Sequence, residues 1–288
     1  MSSRLGDLLR YALVTTARES LPQENPEVLR TFAGLLWRLE RRGRQERARV
    51  LEDEARRLLG CSAGIATTLA REAHDVSLQA RLEELVLPRM DPALLHQYVR
   101  VDGALPEQGV VVFPRAGNPL LLIALLAWRR PGLVCMQRSP LDGARGRLRT
   151  AMARRFEHEQ GRLPVLWEPA PSQLATHVAA GRMVALAFDD RFWPYQQPLP
   201  LMGRTALLSD TPWAVARQAE ARVTPAFIHR EQDKMWRVSF QAPVQPRLDV
   251  YLRERLEPWL NGHGAQYLGF CADCRLGVEA GPLFVEGL

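Results

Sequence analysis

Residues 109–142 read GVVVFPRAGNPLLLIALLAWRRPGLVCMQRSPLD, and the reading of this stretch decides the fold. Val110 to Phe113 is a short run of β-branched and aromatic residues, the pattern of a buried strand. Pro114-Arg115-Ala116-Gly117-Asn118-Pro119 breaks it. Leu120 to Trp128 follows as an apolar helix. Gly132 to Met136 is a second strand, and it delivers Arg138 to the same edge as the first break. A strand–turn–helix–strand unit of this kind belongs to a parallel sheet. Ligands of such sheets sit outside the carboxyl ends of the strands. The turn carrying Arg115, Gly117 and Asn118 is therefore the first place to look for chemistry.

Working outward, strand signals recur at Tyr98–Val101, Leu163–Trp167, Met183–Phe188, Val223–Ile228 and Met235–Phe240. Helical spacing recurs at Ala144–His158, Pro171–Ala179, Pro212–Ala221 and Leu248–Leu260. The alternation predicts an α/β domain over residues 98–288, with a mostly parallel central sheet flanked by helices and a hairpin near the end. Residues 191–204, rich in proline and aromatic residues, read as the longest irregular segment. Residues 1–97 carry no strand signal and predict a helical layer. An amphipathic helix covers Leu5 to Leu13, and a second begins at Pro26. Further helices cover Leu51–Leu59 and Ala63–Leu87, and Asp91-Pro92 forms a helix start. The first helix reads either as packed on the core or as lying on a membrane surface. Arg38, Arg41, Arg42, Arg44, Arg47 and Arg49 alternate with Glu40, Glu46, Glu52 and Glu54, as on a solvated helix face with i,i+4 pairs.

The chain has 288 residues, 47% of them hydrophobic, which suffices for a substantial core. Its net charge is +6 and its pI about 9.6. Lys234 is the only lysine, so the positive charge is carried by arginine. A basic balance favours anionic partners such as phospholipid headgroups and phosphate-bearing ligands. Nucleic acid fits less well, because no aromatic residues are interleaved with the arginines. No secretory signal and no run of about 18 apolar residues is visible, so no spanning helix is expected. Cys61, Cys135, Cys271 and Cys274 are too few for a disulfide scaffold. These readings place the chain in a reducing cytoplasm. The CxxC of Cys271 and Cys274 has no second pair at zinc spacing, so it reads as two plain thiols. No metal centre and no cofactor is expected.

Three segments in order carry a resemblance. They are GVVVFPRAGNPLL from Gly109, QRSPLDGARGRLRTAMARR from Gln137, and Gly181 to Arg230 with its Asp189-Asp190 turn, Gly203-Arg204, the helix Pro212 to Arg217 and the strand Val223 to Phe227. The arrangement resembles the lysophospholipid acyltransferase superfamily, and within it the branch that adds secondary acyl chains to lipid A. The tail Arg253 to Phe270, ending HGAQYLGF, is similar to the last helix of that branch. The resemblance implies acyl transfer at the cytoplasmic face of the inner membrane. The donor would be an acyl carrier protein or acyl-CoA, the acceptor a membrane lipid hydroxyl, and the attachment peripheral. It also implies that Gly117, Asn118, Arg138, Gly203 and Arg204 hold the anionic part of donor or acceptor.

The departure from that pattern is chemical. The family uses a histidine as base and a carboxylate five residues on. Here the two slots hold Arg115 and Leu120. A guanidinium stays charged near neutrality and cannot take a proton. His96 precedes Asp102 by one position too many, and His229 precedes Asp233 by one too few. Asp189, Asp190 and His229 are the candidates for a substitute base, Asp189 and Asp190 being the assigned catalytic pair. Arg115 reads as an ion-pair partner of those acids, as an anion-binding fork, or as a surface residue. Adjacent turn acids equally cap and neutralise. Leu120, Leu121, Leu122, Phe192, Trp193 and Tyr195 read either as an acyl channel or as core. Two expectations stand: an acyltransferase-like protein with weak or lost catalysis, and a non-catalytic binder of lipid, acyl carrier or protein.

Overall fold

The computed structural model describes residues 41–86, 98–129, 134–137, 165–167, 170–190, 196–231, 235–245, 247–276 and 283–284. Outside these lie the helices expected at Leu5–Leu13, from Pro26 and at Ala144–His158. The Asp91-Pro92 cap, Arg138, Phe192, Trp193 and Tyr195 lie outside them too. The described part is α/β. Two helices come first, α1 (Arg41–Leu59) and α2 (Ala63–Val86). Strands β1 (Val99–Asp102) and β2 (Gly109–Phe113) precede helix α3 (Pro119–Arg129). Then come β3 (Val134–Gln137), β4 (Val165–Trp167), α4 (Pro171–Ala179) and β5 (Met183–Ala187). The hairpin β6 (Gln196–Leu201) and β7 (Arg204–Ser209) leads into α5 (Thr211–Gln218). Strands β8 (Val223–Arg230) and β9 (Trp236–Phe240) precede α6 (Leu248–Tyr251), a π-helical turn (Leu252–Leu256) and α7 (Glu257–Arg275).

Seven strands form one sheet in the order β1-β9-β8-β2-β5-β3-β4. Every adjacent pair is parallel except β8 and β9, which form the late hairpin. β2 lies at the centre, between β5 and β8. Its residues are buried on both faces, as the uninterrupted apolar run Val110–Phe113 requires. Val110 and Val112 face one core with Val184, Leu186, Phe188, Val223 and Phe227, under α1, α4, α5 and α7. Val111 and Phe113 face the other with Ala226, Ile228 and Trp236, under α3. α2 serves both: Ala66, Ala70 and Ala73 pack in the first core, Val76 and Ala80 in the second.

The structure corrects the sequence at the proline-rich segment. Gln196–Leu201 is strand, paired antiparallel with Arg204–Ser209. Met202 (φ 51°) and Gly203 (φ 72°) make the two-residue turn between them. Pro198 and Pro200 occupy alternate positions. In a hairpin closed by the Leu201–Arg204 pair, their missing N–H groups fall on the side facing away from β7. A second correction concerns the end of the chain. The final helix runs on to Arg275 through Gly262, Gly264 and Gly269, beyond the expected stop at Leu260. Gly264 and Gly269 lie where a side chain would strike Leu59 of α1 and Ser77 of α2, so close helix packing explains the glycines in this helix. Among the described residues no helix is long and apolar enough to cross a membrane.

Candidate functional site

The carboxyl ends of β2, β5 and β8 reach the same sheet edge, because the three strands are parallel and adjacent. They bring together the turn Pro114–Asn118, the acids Asp189 and Asp190, and His229. The turn is defined by its own residues. Asn118 is the N-cap of α3: its Oδ1 accepts the Leu121 N–H at 3.0 Å, and Pro119 takes the first helical position. Gly117 has φ 61°, and a Cβ there would lie 2.5 Å from the Ile228 carbonyl oxygen and 3.1 Å from the Trp236 ring. Only glycine fits that crossing. The Gly117 N–H donates to the Gln266 carbonyl of α7 at 3.1 Å, which fixes the turn from above.

Asp189 follows β5 and is 1% exposed. The Arg115 backbone N–H donates to both its carboxylate oxygens, at 2.9 and 3.2 Å. Burial pushes its carboxyl up from 3.8 to about 7, against the opposing pull of that N–H and of the Arg115 charge. The phenols of Tyr251 and Tyr267 are buried beside it, and the Tyr267 hydroxyl faces its carboxylate and favours the charged form. Beneath this edge lies an aromatic cluster. Phe188 stands edge-on to Tyr251 (5.2 Å) and Trp213 (5.9 Å), and Phe227 stacks on Trp259 (5.0 Å). The Arg115 guanidinium reaches Asp190 at 4.0 Å and lies over the Phe270 ring at 4.8 Å.

His229 stands on the same edge but in a different electrostatic setting. Burial and the His263 ring, 4.0 Å away centre to centre, hold its imidazole down to about 4. It is neutral at neutral pH and a weak base. The titratable groups around it are His263, Glu231, Arg237 and Asp102. His263 departs from helical geometry (φ −133°, ψ 23°) and kinks α7 at this point.

The remaining sequence candidates separate. Gly203 forms the hairpin turn, and Arg204 beside it bonds Glu54 at 3.1 Å and covers the Phe284 ring at 3.9 Å. Asn118 is fully buried with both amide ends engaged, the second donating to Glu83 at 2.9 Å. Leu121 and Leu122 are core residues, while Leu120 is half-buried. Cys271 and Cys274 lie buried on α7, and burial raises the Cys271 thiol well above its ordinary value, which leaves it unreactive.

Glu83 is the site residue that sequence reading missed. It lies on α2, 8% exposed, and accepts from Gln79 (2.9 Å), Asn118 (2.9 Å) and the Trp236 indole (2.7 Å). Burial raises its carboxyl above the ordinary range, and its three hydrogen bonds oppose that. A signal was present: Val76, Ala80 and Glu83 share one helix face, so an acid interrupts an apolar stripe.

A groove of about 350 Å³ lies elsewhere, lined by Pro171, Gln197, Asp210, Ala214, Arg217 and Gln218. None of the turn residues lines it. No family model matches this chain, and no curated protein matches it.

Proposed function

We propose that this chain is an acyltransferase-like protein that binds an acyl donor or a phosphate-bearing lipid and has lost turnover. The observation that carries the reading is Arg115. It occupies the slot of the expected base, lies over Phe270, and is drawn to Asp190 at 4.0 Å while its backbone is fixed by Asp189. A guanidinium so held offers a fork for carboxylate or phosphate and cannot remove a proton from a hydroxyl. In this reading the donor is an acyl carrier protein or acyl-CoA, the anionic headgroup is that of a membrane lipid, and attachment is peripheral on the cytoplasmic face. Loss of a general base removes about 10²–10⁴ in rate.

The test is acyl transfer from a labelled acyl carrier protein to lysophospholipid, with donor binding measured in parallel. The wild type is expected to bind without transfer. Arg115→His combined with Leu120→Asp is expected to gain transfer by about 10²-fold or more. Failure of the wild type to bind either the loaded carrier protein or anionic vesicles would overturn the proposal. One observation favours a second reading, in which Asp189 serves as base: its carboxyl titrates near neutrality, as a working base requires. Wild-type transfer that disappears in Asp189→Asn would establish that reading instead.

A further inference from the structure

His229, near the carboxyl end of β8, and His263, at the kink of α7, bring two imidazoles together at the sheet edge. Their ring centres lie 4.0 Å apart and their planes are tilted by 47°. The His263 Nδ1 lies 3.2 Å from the Trp259 carbonyl oxygen. A carbonyl only accepts, so that nitrogen carries the proton and Nε2 keeps the lone pair. The Trp259 indole, stacked at 5.1 Å, steadies the ring from its face. A backbone carbonyl that fixes the tautomer in this way is the usual support behind a metal-ligating histidine. The His229 Nδ1 is enclosed by protein, so its Nε2 is the nitrogen that can meet an ion. His229 is 9% exposed and neutral at neutral pH, as a ligand must be. The nearby carboxylates are engaged elsewhere. Glu231 accepts from Arg100 at 2.9 Å and from Arg237 at 2.7 Å, and Asp102 pairs with Arg237. Among the described residues no three His, Cys, Asp or Glu side chains form a closed metal cage. An ion held here therefore has two protein nitrogens and further positions left open.

We propose that His229 and His263 form a two-nitrogen site for a divalent late transition ion, Ni(II) or Cu(II), whose remaining positions take water or a ligand oxygen. The choice of ion follows from the ring spacing. With metal–nitrogen bonds of about 2.0 Å and a ring centre roughly 1.1 Å beyond each nitrogen, two imidazoles at right angles on one ion place their centres about 4.4 Å apart. A tetrahedral pair, as on Zn(II), places them about 5.1 Å apart. Starting from 4.0 Å, the first arrangement parts the rings by about 0.4 Å and the second by about 1.1 Å. The smaller movement is a slight rotation of the half-buried His263 side chain. Right-angled nitrogen and oxygen donors suit Ni(II) and Cu(II). The site uses neither Arg115 nor the acids beside it, and it does not depend on the function proposed above.

The experiment titrates NiCl₂, and separately ZnCl₂, into the untagged full chain by calorimetry in a non-chelating buffer, with tryptophan fluorescence followed in parallel. Ni(II) is the probe because it does not oxidise thiols. One Ni(II) per chain is expected to bind, more tightly than Zn(II), with partial quenching of the fluorescence through Trp259, which stacks on His263. His263→Gln and His229→Gln are each expected to weaken binding by about tenfold or more, since loss of even a supporting residue costs a metal site about 10–100-fold. The half-buried position of His263 keeps the test open should His229→Gln, in the sheet, fail to fold. Trp259→Phe is expected to keep the affinity and lose the quenching, because the carbonyl behind His263 remains. Absence of Ni(II) binding by the wild type, or binding that survives His263→Gln unchanged, overturns the site. Tighter binding of Zn(II) than of Ni(II) overturns the right-angled geometry and with it the choice of ion.

Discussion

At the residue scale, the turn after β2 rests on two residues that carry no catalytic chemistry. Gly117 combines a left-handed φ with a 2.5 Å approach to a backbone oxygen that cannot rotate away. Gly117→Ala is therefore expected to destabilise by roughly 2–4 kcal/mol, from αL strain plus the displacement of β8, as read by urea denaturation. A variant within about 0.5 kcal/mol of wild type would mean that the turn and β8 do not cross as described. Glu83 is the second. Glu83→Ala strands the Asn118 amide, the Trp236 indole and the Gln79 amide in the core, and roughly 3 kcal/mol of stability is expected to be lost. Glu83→Gln is expected to lose about 1 kcal/mol or less. Its carbonyl can serve Asn118 and Trp236, and a flipped Gln79 can accept from the new amide. Equal losses in the two variants would sink that account.

At the element scale, α2 and α7 hold the edge from outside the sheet. α2 supplies Glu83 to the turn, and α7 supplies the Gln266 carbonyl to Gly117 and the Phe270 ring beneath Arg115. The hairpin and α7 are clasped to α1. Glu54, buried on α1, accepts from Arg204 of the hairpin and Arg275 of α7, each at 3.1 Å, and Arg47 pairs with Asp273. Glu54→Ala leaves Arg204 and Arg275, 18% and 35% exposed, without their shared acceptor. It is therefore expected to destabilise by about 1–2 kcal/mol and to loosen the hairpin. The expected readout is faster hydrogen exchange across Gln196–Ser209, while the β2 and β5 amides stay protected. Uniform loss of protection would mean that the hairpin has no separate anchor.

At the scale of the whole molecule, buried titrating groups set opposing slopes in stability against pH. Asp189 is raised from 3.8 to about 7, so the folded state holds its proton more tightly. The stability it contributes is complete below the lower value and is lost as pH rises through the higher; Glu83 acts in the same direction. His229 is lowered from 6.5 to about 4, so its contribution is complete above 6.5 and is lost as pH falls toward 4. The two largely cancel in the interval between. Asp189→Asn is expected to steepen the loss of stability on acidification, and His229→Gln the loss on raising pH. Each change approaches about 1.4 kcal/mol per pH unit within that interval, measured against wild type from denaturation midpoints. Parallel curves for all three proteins would show that neither group is shifted by folding.

The sequence by itself determined the α/β architecture. Strands and helices advertise themselves by local periodicity, and Val110–Phe113 followed by an Asn-Pro helix start needs no distant residue to be read. It also determined which edge to examine, since parallel strands present their carboxyl ends together. It could not show that Pro198 and Pro200 sit in a strand, because that depends on which side of the ladder each N–H faces. Nor could local periodicity show why Gly264 and Gly269 lie inside a helix, because the reason is the nearness of Leu59 and Ser77. The roles of Glu83 and Asp189 were decided by tertiary structure alone. A carboxylate is exposed and ordinary until other elements close over it, and only the closing of α2 and α7 around the turn made one a buried strut and the other a group that titrates near neutrality.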